Sequence, residues 1–364
     1  MGPGLRAAFT LALFVAAPRG APARRASALL PRLPIVTAPP PAGLELLDAA
    51  RPSTRDLLAF ERDGHCAMRG LLSPAEAALV LAELRAEHAR RTDEMAAKLR
   101  ADHGERFQKR EVPFEQLFNL WTCSAAARAV VGSERLARTA ATLLGCERVR
   151  LYQDTLLVKR RGHGATHWHS DLHMAPLDTN AFVTCWLALT PVPRQSEGGS
   201  SLVFASGSHR DCAHLFWAAE PTAPVAPGRY SLRSHAPHAP GDATWHHGWI
   251  LHAAPPNGAD ADRWSFAVTF FADGARTLSV QQRERMDDED SPSYRGWLAE
   301  LEPGAPAVHE RLPLVPRAAP RPSAARAKRP TRDAGAPRAN RPADGALAHV
   351  ERRAEARRRS AGRE

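Results

Sequence analysis

The chain has 364 residues, 44% of them hydrophobic and 24% charged, with a formal net charge of +10. Locating that charge argues against a specific nucleic-acid reader. Residues 1–44 hold five Arg and no acid, residues 317–364 hold 14 Lys or Arg against five acids, and residues 45–316 are left at −4. A basic tail is more often a solvated end, and no apolar run approaches the roughly 18 residues of a membrane span.

In chain order, Arg6 is followed by the apolar run Ala7–Ala17 and then by small residues and Arg. This resembles a targeting segment, and residues 1–44 are set aside from the fold. The run is too apolar for a typical mitochondrial presequence, so an organelle, with a plastid favoured over a mitochondrion, is the expected location, and a secretory route stays open. The five cysteines, Cys66, Cys123, Cys146, Cys185 and Cys212, are odd in number and form no CxxC pair. They read as reduced thiols.

The 272 residues from 45 to 316 can bury a large core and are expected to form the ordered domain. The stretch FERDGHCAMRGLL, up to Leu72, suits a short strand. Ser73-Pro74-Ala75-Glu76 is a capping box with Pro at the first helical position, opening a helix to about His103. Further helix is expected at Ala125–Val131 and Ser133–Leu144. Alternating patterns then predict strands at 149–159, 181–192, 201–205, 243–247 and 263–271. Helices first and many short strands later define an α+β chain that is mainly β, a sandwich or barrel with flanking N-terminal helices. From Arg317 the Arg, Ala and Pro composition has no periodicity and reads as a disordered tail over 317–364.

The chemistry concentrates in THWHSDLH, residues 166–173. His169 and Asp171 lie two apart, so in an extended segment both face one side and can reach one ion. His246, His247 and His252 are each available as a third ligand. Two His and one carboxylate make the facial triad of non-heme Fe(II) oxygenases, which leaves the opposite positions open. The usual cosubstrate, 2-oxoglutarate, needs a two-pronged cationic partner. Arg263 opens a strand pattern with Ser265 on the same face, eleven residues after His252. Gln153 shares a face of the 149–159 strand with Thr155 and Lys159, and is a candidate contact for cosubstrate or substrate. Phe182, Thr184 and Trp186 share a face that suits core or pocket.

The WHSD of Trp168–Asp171, the EGGSSLVFASGSH of Glu197–His209, the turn Gly241-Asp242, and the LHAAPPN of Leu251–Asn257 ahead of Arg263 occur in one order. Together they resemble the phytanoyl-CoA dioxygenase family of Fe(II)/2-oxoglutarate oxygenases over roughly residues 56–315. The resemblance implies a double-stranded β-helix, a jelly roll of the cupin-like kind. It implies His169, Asp171 and His252 as iron ligands and Arg263 as the 2-oxoglutarate anchor, with O2 as cosubstrate and ascorbate as reductant. His246 and His247 are then left to packing or exposure, with the choice of which one lines the pocket open. His167, on the same extended face as His169, competes with it as a ligand but stands outside the family spacing. His173 goes to the rim or surface, and His209 to structure. Halogenases on this fold lack the carboxylate, so Asp171 favours hydroxylation of a small-molecule or lipid-like substrate. The rival readings are a non-catalytic metal- or ligand-binding β-helix protein, which a broken triad would mark, and a hydroxylase that docks a macromolecule through its basic tail. The sequence sets no oligomeric state.

Overall fold

A computed structural model of the chain describes residues 38–44, 46, 51–103, 114–211, 228–283 and 294–315. Most of the expected targeting segment and the whole expected basic tail lie outside the described residues, as does Cys212. In chain order the helices are α1 (Thr54–Asp63), α2 (Pro74–His103), α3 (Ala125–Val131) and α4 (Glu134–Leu144). The strands are β1 (His65–Met68), β2 (Glu115–Phe118), β3 (Val149–Lys159), β4 (Thr166–His169), β5 (Leu177–Asp178), β6 (Phe182–Ala188) and β7 (Val203–Ser206). They continue as β8 (Ser231–Ser234), β9 (Ala243–His247), β10 (His252–Ala254), β11 (Arg263–Ala272), β12 (Arg276–Thr277) and β13 (Leu314–Val315).

The strands form a larger antiparallel sheet in the order β1-β9-β6-β11-β3-β13, with β2 also on β3, and a smaller one in the order β4-β10-β7-β8. This is the two-sheet arrangement of a double-stranded β-helix. Alternation along β11 explains how the layers form. Trp264, Phe266, Val268 and Phe270 face outward into a core with Val80 and Leu84 of α2, Val130 of α3 and Leu136 of α4. Arg263, Ser265, Ala267 and Thr269 therefore face inward, toward the smaller sheet. There Ala267, Trp186, Phe204, Ile250 and Ala254 make the apolar filling between the sheets.

The start of the domain differs from the sequence expectation. Residues Thr54–Asp63 are helical, and only His65–Met68 is strand. The cause is a capping box built with Asp: Ser53 Oγ accepts from the Asp56 amide, while Asp56 accepts from the Ser53 amide. Gly64, with φ 80°, ends the helix. The box at Ser73 and Glu76 is formed as expected.

The Gly241-Asp242 turn is structural. Gly241 has φ 94°, and a Cβ there would run into the Leu72 carbonyl oxygen. Asp242 takes the amides of Gly70 and Ala239 and an ion pair from Arg69. The four described cysteines are free thiols.

Candidate metal centre and anion cradle

The smaller sheet places the two imidazoles. His169 ends β4, His252 begins β10, and the two are direct partners in the β4–β10 ladder. Their ring centroids lie 4.2 Å apart. Each ring is turned the same way by its own backbone. His169 Nδ1 meets the His167 carbonyl at 2.8 Å, and His252 Nδ1 meets the Ile250 carbonyl at 3.1 Å. A carbonyl only accepts, so each Nδ1 carries the proton and each Nε2 presents a lone pair.

Asp171 lies just past β4, at the start of a 3-10 turn, Asp171–Met174. Ser170 between them is extended, with φ −125° and ψ 137°, so the two-residue spacing still brings both side chains to one side. Asp171 Oδ1 stands 3.7 Å from His169 Nε2 and 3.6 Å from His252 Nε2. Ligand atoms of the three residues all lie within 4.8 Å of one another. The side chains of His169 and Asp171 are 17% and 22% exposed against 5% for His252, so the triad opens on the His169–Asp171 side.

Burial works to raise the Asp171 carboxyl, but the His252 and His246 rings outweigh it and hold the group ionised. His252 is pushed well below the usual imidazole range, by burial first and then by His169. A carboxylate and a neutral imidazole are the forms a metal ion needs.

Of the other candidate ligands, His247 points away from the triad, with its ring 6.2 Å from Phe60 and 5.3 Å from His209. His246 departs from the packing role expected of it. Its Nε2 lies 3.1 Å from Asp171 Oδ2, which also accepts from Thr184 Oγ1 at 2.6 Å. Exposed His173 and His167 sit beside the triad rather than in it. His209 contacts the Glu61 carbonyl at 3.2 Å, in keeping with a structural role.

The larger sheet carries a second polar cluster, built on two buried cations. Arg263 and Lys159 are direct partners in the β11–β3 ladder, and both are buried. Asn257 ties the loop before β11 to the end of β3, its amide donating to the Lys159 and Ala261 carbonyls. Arg263 gives one guanidinium nitrogen to the Ser200 carbonyl at 2.5 Å and packs 5.6 Å from the Trp186 ring. Its Nε is buried without a hydrogen-bond partner among the described residues. Lys159 Nζ donates to the Pro255 carbonyl at 2.8 Å and to Thr166 Oγ1 at 3.2 Å. Burial pushes Arg263 down to about 10, and burial with the Arg263 charge pushes Lys159 down to about 7. Among the described residues neither cation meets a carboxylate. Two buried cations side by side without a counter-ion, one with an unused N–H, fit an anionic ligand.

Ser265 shares the inward face with Arg263 as expected, with its hydroxyl on the Leu157 carbonyl at 3.3 Å. Gln153 is also inward. Its amide nitrogen reaches Thr155 Oγ1 at 3.5 Å, while its Oε1 is buried without a partner among the described residues. Sequence reasoning named Lys159 and Thr184 only as face-mates and gave Ser200 no role. Their place follows from strand register, which a single sequence does not display.

A facial His-Asp-His triad inside a double-stranded β-helix, with a buried cationic cradle on the neighbouring strands, defines a non-heme iron, 2-oxoglutarate-dependent oxygenase. The model of the Phytanoyl-CoA dioxygenase (PhyH) family matches residues 60–265, and the chain belongs to that family. Its cofactors are iron and 2-oxoglutarate. No curated protein matches the sequence. Among solved structures, the non-heme alpha ketoglutarate dependent carbocyclase SnoK from nogalamycin biosynthesis is 22% identical, with a TM-score of 0.53 over 72% of this chain and 96% of that one. The epimerase SnoN from the same biosynthesis is 24% identical, with a TM-score of 0.52 over 72% and 98%. SnoN has also been solved with Fe3+, alpha ketoglutarate and nogalamycin RO. At these identities the likeness is one of fold. No described helix is long and apolar enough to cross a membrane.

Proposed function

We propose that this protein hydroxylates a small-molecule or lipid-like substrate at an unactivated C–H bond. Substrate, O2 and 2-oxoglutarate would give the alcohol, succinate and CO2, with one oxygen atom entering each organic product. The observation that carries the reading is the complete triad of His169, Asp171 and His252 together with the uncompensated cations Lys159 and Arg263. Asp171 supports hydroxylation over halogenation, because a halide would need the position that its carboxylate fills.

Bound iron would supply oxygen activation; the protein supplies placement and exclusion of water. His169 Nε2, Asp171 Oδ1 and His252 Nε2 would hold the metal. Arg263 and Lys159 take the distal carboxylate of 2-oxoglutarate, with Trp186 stacked behind the guanidinium. The orphaned Gln153 Oε1 offers an acceptor to cosubstrate or substrate.

The test is succinate release from 2-oxoglutarate with Fe(II), ascorbate and O2, first alone and then with fractionated metabolite extracts. A fraction that stimulates succinate release and yields a product heavier by one oxygen supports the proposal. A product with no added oxygen from the stimulating fraction would refute hydroxylation, and no metal-dependent succinate under any condition would refute the enzyme reading. The N-terminal composition supports a plastid location, which a fluorescent fusion to residues 1–44 would test.

A further inference from the structure

The inward face of the larger sheet carries one wholly polar row across five strands. Register aligns Gln153 with Thr269, Thr269 with Thr184, Thr184 with His246, and His246 with His65. Two members of that row, Thr184 and His246, converge on one atom outside the sheet, Asp171 Oδ2. They are direct neighbours on β6 and β9, and paired side chains on one face stand close enough to share a target.

The donor directions are fixed. Thr184 gives its proton to Asp171 and lies 3.2 Å from Thr269 Oγ1, which can donate to it in turn. His246 has a buried Nδ1 without a hydrogen-bond partner among the described residues. Its proton therefore sits on Nε2, against the carboxylate. Oδ2 thus takes two hydrogen bonds, while Oδ1 alone faces the His169 and His252 nitrogens.

We propose that His246 and Thr184 are positioning residues that hold Asp171 to one-oxygen ligation. The inference rests on the triad reading above. A carboxylate free to turn could offer both oxygens to the metal and occupy a fourth position. The cosubstrate would then compete with oxygen for the two that remain. Holding Oδ2 with two donors keeps three positions open. The clamp comes from the larger sheet and the imidazole ligands from the smaller one, so the pairing of the two sheets sets how many metal positions the protein itself would fill.

The experiment titrates Fe(II) and Co(II) into the full-length metal-free protein and three variants. His246→Phe removes the donor and keeps a ring of similar bulk, Thr184→Val removes the hydroxyl at nearly constant volume, and His246→Gln restores an N–H donor. Expected is a roughly ten- to hundredfold loss of Fe(II) affinity in His246→Phe and Thr184→Val, with His246→Gln recovering most of it. The Co(II) absorption should change in position and shape in the first two variants, as a second carboxylate oxygen replaces a bound water, and return to the wild-type form in His246→Gln. A loss of packing alone would not produce that spectral change. Wild-type affinity and spectrum in both donor-less variants would overturn the proposal, as would a His246→Gln protein no better than His246→Phe. If His246→Phe does not fold, Thr184→Val carries the same two outcomes. His169→Ala separates the levels. Undiminished metal binding there would sink the triad itself, whereas loss there beside intact binding in His246→Phe would sink the clamp only.

Discussion

Lys159 gives the sharpest test of the anion cradle, because its charge depends on whether the cradle is filled. Burial and Arg263 together hold it down to about 7, from an ordinary 10.5. A 2-oxoglutarate carboxylate between the two cations would favour the ammonium form and raise that value. Binding above pH 7 must then take up a proton, so affinity is fully present below about pH 7 and falls as pH rises toward the value in the complex. Each pH unit in that window costs about tenfold in affinity, or about 1.4 kcal/mol. The 2-oxoglutarate Kd should therefore rise on the order of a hundredfold from pH 7 to pH 9 and stay flat from 6 to 7. Arg263, at about 10, remains cationic throughout. The assay is calorimetric titration of 2-oxoglutarate into the Mn(II)-loaded protein, wild type against Lys159→Met. Metal hydrolysis affects both proteins alike, so the difference between the slopes isolates Lys159. Equal slopes in the two proteins would refute the reasoning and remove Lys159 from the cradle.

His169→Ala, Asp171→Ala and His252→Ala should each abolish turnover and Fe(II) binding. The first two sit at the partly exposed mouth of the triad, so the metal-free protein should melt close to the wild type. Arg263→Lys keeps a charge but loses the fork, so the 2-oxoglutarate KM should rise on the order of 10–100-fold while Fe(II) affinity changes little; steady-state kinetics with metal titration checks this. Gly241→Ala should lower the Tm by roughly 5–10 °C, from about 2–3 kcal/mol of strain at φ 94° against the Leu72 carbonyl, with the Fe(II) Kd unchanged. Deleting residues 1–37 and 317–364 should leave succinate release intact, because neither stretch carries a periodic apolar face; Leu44 is kept because it is buried in the core, and a large drop in Tm would show that one of the deleted stretches packs on the domain.

The strands of the larger sheet were legible because their residues alternate between two unlike surroundings. β3 and β9 fall at the expected bounds, β11 runs one residue past them, and β6 ends four residues short of them. Of the smaller sheet only β7, expected at 201–205, was legible. β10 is three residues long and β8 is exposed along its whole length, so neither has an apolar face to show. His169 and Asp171 were legible because their spacing is local. His252 and Arg263 came through a motif order, since their meeting place depends on which strands pair. Helix α1 was missed because its capping box uses Asp56 where the usual pattern has Glu or Gln. Which of His246 and His247 lines the pocket was open in the sequence, because adjacent histidines show only that their faces are opposite. The face that meets Asp171 is decided by the register of β9 on β6.

That dependence on register explains why the site needs the whole domain. His169 meets His252 through one ladder, Lys159 meets Arg263 through a second, and Thr184 meets His246 through a third. In each pair the partners are between 62 and 104 residues apart in sequence, yet on the sheet they are nearest neighbours. A slip of one residue in any ladder would turn a whole set of side chains to the opposite face. The apolar outer faces forbid that slip, because it would bring Trp264, Phe266, Val268 and Phe270 inward and send Arg263 into the helical core. The hydrophobic packing of the larger sheet against its helices thus fixes the chemistry on its other side. Polar residues that cost stability when buried without a ligand are held in place by apolar ones that never touch it.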